Sequence, residues 1–224
     1  MALREHIEHT LLKPEAQVRD IEKLCAEAKE HHLLGVCVNP CYVSMASRLL
    51  TGTDVKVVTV IGFPLGQNES FVKGLEARRA VENGADEVDM VLNVGALKDH
   101  NDAYVVEDIR EVVMAATPAD VKVILETCLL TDEEKVRACH LAAKAGAKFV
   151  KTSTGFSKGG ATVDDVALMA KEAGPLGLQV KASGGIRTLE AARAMLAAGA
   201  ARIGCSAGAK LAAEDEADAK AGKA

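Results

Sequence analysis

Eight short runs of apolar, largely β-branched residues, each separated from the next by a stretch of helical period, constrain this chain more than any other feature. The runs are Ile7–Leu11, Gly35–Val38, Val55–Ile61, Glu87–Leu92, Val121–Glu126, Phe149–Thr152, Leu178–Ala182 and Arg202–Gly204. Runs of this length and composition read as buried strands, and the stretches between them are long enough for crossover helices. Helices are expected over about 15–32, 41–50, 69–83, 102–116, 132–145, 163–173 and 188–198, with a shorter one from about 206.

Local signals support this division. Thr131-Asp-Glu-Glu134 has the form of a capping box ahead of an Ala/Leu/Val-rich stretch. Gly84, Gly146 and Gly199 each stand just past an expected helix and just before an expected strand. That place suits glycine, because a left-handed C-cap has no room for a Cβ. Together with Gly35 they recur at intervals of about two βα units. Eight such units in 224 residues describe an α/β chain folded as a single (β/α)8 barrel over residues 1–211. An open, doubly wound sheet is the competing architecture, but the first βα turns lack a Gly-x-Gly-x-x-Gly run. Residues 212–224 hold no large apolar side chain and are expected to form a frayed helix or a disordered end.

Composition narrows the functional classes. The net charge is −5 and only 3% of residues are aromatic. Nucleic-acid binding is therefore not expected, since it needs a basic surface and stacking platforms. No run approaches the ~20 apolar residues of a membrane span. The start, Met1-Ala-Leu-Arg-Glu-His6, meets charge at once and has no secretory h-region. The six cysteines include no Cys-x-x-Cys pair, so reduced thiols and a cytoplasmic location are expected.

In a barrel the reactive groups gather at the C-terminal ends of the strands. The two-residue strand period selects a short list. Val88, Met90 and Leu92 turn toward the helices, which leaves Asp89 facing inward. Val150 does the same for Lys151, and Val180 with Ala182 for Lys181. Glu126, at a strand end, is a further candidate. Two ammonium groups about 5 Å apart at an effective dielectric of about 20 repel by about 3 kcal/mol, or about 2.4 pK units. One lysine held neutral in this way could attack a carbonyl and form an iminium ion, with the aspartate exchanging protons.

Three Gly-rich segments follow the last three strands: Thr152–Gly160, Ser183–Arg187 and Gly204–Gly208. Such loops cradle phosphate with backbone N–H groups, and Ser, Thr and Arg add donors. Metal chemistry finds little support, because no His-x-His or His-Glu-x-x-His motif occurs and His6 and His9 point to opposite faces of a strand. There is no Gly-x-Ser-x-Gly elbow either. Cys37 ends an early strand, where it can face the pocket but reads first as a small buried core residue rather than a catalytic one.

These residues resemble the 2-deoxyribose-5-phosphate aldolases, class I aldolases with a TIM-barrel fold. The matching blocks are His9-Thr-Leu-Leu-Lys-Pro14, Val36-Cys-Val-Asn-Pro40, Val60-Ile-Gly-Phe-Pro-Leu-Gly66, Asp86–Leu97, Phe149-Val-Lys-Thr-Ser-Thr-Gly-Phe156, Val180-Lys-Ala-Ser-Gly-Gly-Ile-Arg187 and Arg202-Ile-Gly-Cys-Ser206. The resemblance implies cleavage of 2-deoxy-D-ribose 5-phosphate to acetaldehyde and D-glyceraldehyde 3-phosphate, and the reverse addition, with neither metal nor other cofactor. It implies Lys151 as the Schiff-base lysine, Lys181 as the second lysine and Asp89 as the proton donor and acceptor. Thr154, Gly155, Gly184, Gly185, Arg187, Gly204 and Ser206 fall at the phosphate, and Glu8, Thr10 and Cys37 are expected to line the pocket. Homo-oligomers, dimers or tetramers, are also implied. The chain departs from the pattern where Glu8 replaces an aspartate, and where Cys205 and Ala207 replace hydroxyl-bearing residues. Another class I aldolase or transaldolase, or an impaired sugar-phosphate-binding homologue, are the alternatives.

Overall fold

The computed structural model describes residues 2–222. Its strands are β1 Ile7–Leu11, β2 Gly35–Val38, β3 Lys56–Ile61, β4 Glu87–Val91, β5 Asp120–Ile124, β6 Phe149–Lys151, β7 Gln179–Ser183 and β8 Arg202–Cys205. All pair in parallel, in chain order, and β8 returns to β1 to close the barrel. The helices are α1 Val18–Glu30, α2 Val43–Leu49, α3 Ser70–Glu82, α4 Val94–Lys98, α5 Asp102–Ala116, α6 Asp132–Ala145, α7 Val163–Ala173, α8 Leu189–Ala197 and α9 Gly208–Ala221. The (β/α)8 barrel expected from the strand spacing is the observed fold.

The α6 signals act as read. The Thr131 side chain accepts from the Glu134 N–H, the Glu134 carboxylate accepts from the Thr131 N–H, and Gly146 closes the helix at φ +93°. The short α4 has no counterpart in the sequence reading. It is a single turn, started by the Asn93 side chain accepting from the Ala96 N–H, and too short to show a helical period.

Of the two forms expected for the tail, a frayed helix or a disordered end, the structure has a helix. Residues 212–221 continue α9, whose Leu211 and Ala212 are buried. Asp215 ties it down by accepting from the Leu3 N–H and pairing with Arg193 on α8. The rest of the expected tail, 223–224, lies outside the described residues. Polar anchoring holds this segment where apolar content alone gave no reason for order.

The main apolar core lies between sheet and helices, and takes in the outward strand residues Val36, Val57, Val88, Val121, Val150, Val180 and Ile203. Inside the barrel a small cluster of Leu12, Cys37, Val58 and Val60 packs on the β2–β3 side. The rest of the interior is largely ionic, with Val91, Ile124 and Phe149 set among the charges. Glu8, Glu87, Asp89, Lys122 and Lys181 are all essentially inaccessible to solvent. Burying so many charges is tolerable only if each is paired, and that requirement organises the site.

A candidate active site inside the barrel

Strand register places the charged side chains side by side. Asp89 on β4 is level with Lys122 on β5, and Lys151 on β6 is level with Lys181 on β7. Register partners in a parallel pair share a face, so an inward Asp89 brings an inward Lys122 with it. Gly204 on β8 supplies the space this needs. A Cβ there would stand 3.0 Å from Lys181 Cε and 3.1 Å from Ser183 Cβ.

Asp89 is the hub. Its Oδ2 accepts from Lys151 Nζ at 2.8 Å and from Lys181 Nζ at 2.6 Å, while its Oδ1 accepts from Lys122 Nζ at 2.9 Å. Lys181 also bonds the Glu8 carboxylate. Lys122 is 2.6 Å from Glu87 and 3.6 Å from Glu8. Glu87 in turn pairs with Lys56 toward the N-terminal mouth. Lys122 and Arg202 also lie 5.6 and 5.3 Å from the centre of the Phe149 ring, which floors the network.

The three lysines are not equivalent. Burial pushes the Lys151 amine below the usual lysine range, and the neighbouring Lys181 ammonium acts in the same direction against the pull of Asp89. Burial opposes the charge of Lys181 too, but Asp89 and Glu8 outweigh it and raise that amine above the usual range. Lys122 is raised in the same way by Asp89 and Glu8. Burial would raise the Asp89 carboxyl, yet Lys122, Lys151 and Lys181 hold it well below the carboxylate range. The expected depression of Lys151 is thus present, with its causes reordered: burial leads and lysine–lysine repulsion follows. Lys181 escapes the same fate because two carboxylates face it.

Lys151 alone of the three lines the cavity at the C-terminal mouth, a space of about 290 Å³. Thr10, Thr154, Gly155, Gly184, Gly185, Arg187, Gly204 and Ser206 line it as well. The loops after β6 and β7 interlock beside it. The Gly184 carbonyl, on a residue at φ +92°, accepts from the Ala161 N–H, and a Cβ on Gly160 would fall 2.3 Å from the Gly184 oxygen. Thr152 and Ser183 exchange further bonds across the same seam. Arg187 and Lys13 put positive charge at the rim, where N–H-rich backbone and the start of α8 favour an anion.

Two of the residues expected to line the pocket do not. Glu8 lies beneath the cavity, sealed in the ion network, and its longer side chain still reaches Lys181 and Lys122. Cys37 packs in the interior apolar cluster, and burial raises its thiol to about 11. The direction of a β-strand side chain is readable from sequence; its depth below the mouth is not. Lys122, Glu87 and Lys13 were missed. Lys122 stands between Val121 and Val123, the same alternation that singled out Lys151 and Lys181, so the signal was available. Among the described residues no cluster of His, Cys, Asp and Glu could hold a metal ion. All six cysteines are free.

A single depressed amine opening onto a cavity, with an ionised aspartate and two cationic lysines behind it, supplies the groups of a barrel lyase that works through an imine. A family model described as DeoC/LacD family aldolase matches residues 5–212, and the chain belongs to that family. It is 62% identical over 206 residues to a deoxyribose-phosphate aldolase of Geobacillus sp. (strain WCH70), covering 92% of each chain. It is 59% identical to the enzyme of that name from Streptococcus sanguinis (strain SK36), covering 97% of this chain and 98% of the relative. Among solved structures, the tetrameric deoxyribose phosphate aldolase of Aeropyrum pernix superposes with a TM-score of 0.89 at 36% identity, over 96% of this chain and 91% of that one. An aldolase designated QR15 gives 0.91 at 43% identity, over 95% of both.

Proposed function

We propose that the chain cleaves 2-deoxy-D-ribose 5-phosphate to acetaldehyde and D-glyceraldehyde 3-phosphate, and runs the reverse aldol addition, through an imine on Lys151. The observation that carries this reading is the position of Lys151: the one lysine of the buried trio that both reaches the cavity and has its amine pushed down.

The neutral Lys151 amine adds to the aldehyde carbon of the open-chain sugar, and loss of water gives a protonated imine. The imine withdraws electrons from the adjacent carbon. The C2–C3 bond then breaks as the C3 hydroxyl loses its proton, leaving an enamine on Lys151 and releasing glyceraldehyde 3-phosphate. Protonation of the enamine and hydrolysis release acetaldehyde and restore the amine. Asp89, bonded to both Lys151 and Lys181, is placed to pass protons, and Lys181 keeps a cation beside the reacting nitrogen. The rim with Arg187, Lys13, Gly184, Gly185 and Ser206 suits the phosphate, which orients the chain from a distance.

The test is borohydride trapping with acetaldehyde, read by peptide mass, beside turnover of deoxyribose 5-phosphate against fructose and sedoheptulose phosphates. An adduct on Lys151 with turnover of the first substrate is expected. Preference for either ketose phosphate assigns a different aldolase, and stabilisation by sugar phosphate without turnover assigns a binding protein. The same reading includes a homo-oligomer acting in the cytoplasm on small sugar phosphates and aldehydes, with no nucleic-acid partner. A tetrameric relative, the net charge of −5 and the lack of any membrane-length apolar helix among the described residues support it.

A further inference from the structure

Glu126 has an unusual backbone. It follows β5 at φ 57°, ψ 61°, a left-handed conformation that an L-residue with a long side chain rarely adopts. The residues on either side continue the pairing with the β6 segment: Leu125 N–H donates to the Lys151 carbonyl at 2.8 Å and Thr127 N–H to the Thr152 carbonyl at 2.9 Å. Glu126 is therefore a kink inserted between two ladder bonds, one of them on the carbonyl of Lys151 itself. Kinks of this kind re-aim a side chain, and they concentrate at active sites.

The re-aimed carboxylate is 4% exposed and reaches over to the loop after β6. One oxygen accepts from the Thr154 N–H at 3.3 Å and the other from the Thr154 hydroxyl. The Thr154 Oγ1 accepts in turn from the Phe156 N–H at 3.0 Å. Phe156 rests edge-on against Phe63, with ring centres 5.3 Å apart. Thr154 and Phe156 line the cavity that holds Lys151, and they also wall a second cavity of about 300 Å³ that Glu126 lines from the β4–β5 side. Glu126 thus anchors the partition between the two spaces.

This arrangement fixes the polarity of Thr154. A hydroxyl has one proton and two lone pairs. Here the proton is committed to Glu126 and one lone pair to Phe156, so Thr154 can meet a substrate only as an acceptor. A phosphate offers little to such a group, whereas a sugar hydroxyl donates to it. The sequence reading placed Thr154 beside the phosphate as a donor; its bonds exclude that role.

We propose that Glu126 is a positioning residue: it holds Thr154 and Phe156 against the reacting part of the cavity and presents the Thr154 hydroxyl as an acceptor for a substrate hydroxyl. The proposal rests on the sugar-phosphate reading above. The experiment compares Glu126→Gln, Thr154→Val, Thr154→Ser and the Glu126→Gln/Thr154→Val double variant in two assays: kcat/KM for deoxyribose 5-phosphate, and the rate of borohydride trapping with acetaldehyde, which carries no hydroxyl to be recognised.

Loss of a charge-assisted bond at this position should lower kcat/KM about tenfold to a hundredfold in Glu126→Gln and in Thr154→Val. Trapping should stay within about threefold, Thr154→Ser should keep near-full turnover, and the double variant should be no worse than the poorer single one. Equal losses in both assays, no loss in either, or multiplying losses in the double variant overturn the positioning role. Thr154→Val, close in shape to the native residue, carries the test if Glu126→Gln fails to fold. A wild-type chain that traps acetaldehyde but does not turn over deoxyribose 5-phosphate sinks the functional reading, and this role with it; an active wild type with an unaffected Glu126→Gln sinks this role alone.

Discussion

Lys151 and Lys181 lie level on adjacent strands and share one oxygen, Oδ2 of Asp89, so their nitrogens can be no farther apart than the sum of those two bonds. The sharing makes their difference informative. Glu8 gives Lys181 a second carboxylate that Lys151 lacks, and Lys151 gains access to the cavity that Lys181 lacks. One amine is thereby held charged and the other inclined to be neutral.

Replacing Lys151 with alanine should abolish borohydride trapping and lower turnover by about three orders of magnitude or more, because among the described residues the only other amine lining the cavity is Lys13 at its rim. Peptide mass after reduction checks it. An adduct that persists on another lysine reassigns the nucleophile.

Turnover should rise with pH as the Lys151 ammonium loses its proton, in a range below that of an ordinary lysine. In Lys181→Leu the repelling cation is gone and Asp89 Oδ2 is left to Lys151, and both changes favour its charged form. The rising limb of the pH–rate profile should therefore move to higher pH. A profile that stays in place contradicts the coupling of the two lysines.

Lys122→Met should destabilise the fold by about 3–5 kcal/mol, the usual cost of leaving buried carboxylates without their partner. Denaturant melts measure it. A loss below about 1 kcal/mol would mean that the network repacks around the gap.

Acid should loosen the barrel through Glu87. Burial alone would raise its carboxyl, but Lys122 and Lys56 hold it at about 2 against 4.5 for a free group. A carboxyl lowered by folding stabilises above its unfolded value, and that stability is lost as pH falls from there toward 2. The share is about 3 kcal/mol. Stability should fall as pH drops from about 5 toward 2, and Glu87→Gln should flatten that slope. An equally steep slope in the variant removes Glu87 as a cause.

Arg187→Ala and Lys13→Ala should each raise KM for deoxyribose 5-phosphate about tenfold and leave turnover of unphosphorylated deoxyribose unchanged. Equal effects on both sugars would move the phosphate elsewhere.

Much of the site is legible in the sequence. Period-two alternation turned Asp89, Lys151 and Lys181 inward, and the same rule applied to Lys122 would have found the third lysine. The Gly-rich loops after β6, β7 and β8 were found as cavity wall. Other features followed from no local pattern. Glu126 was legible as a strand-end carboxylate, but the kink that swings it onto Thr154 appears only in the backbone. Cys37 and Glu8 were placed on the right face at the wrong depth.

The linear order of residues determined the barrel itself, because eight strand-and-helix units leave few other ways to bury their apolar faces. It also determined which side chains enter the interior, because strand geometry is periodic. Only the closed tertiary structure decided what those side chains became. Whether a buried lysine is charged depends on which carboxylates reach it from strands far away in sequence, and electrostatic energy in a water-poor interior is set by distance in space.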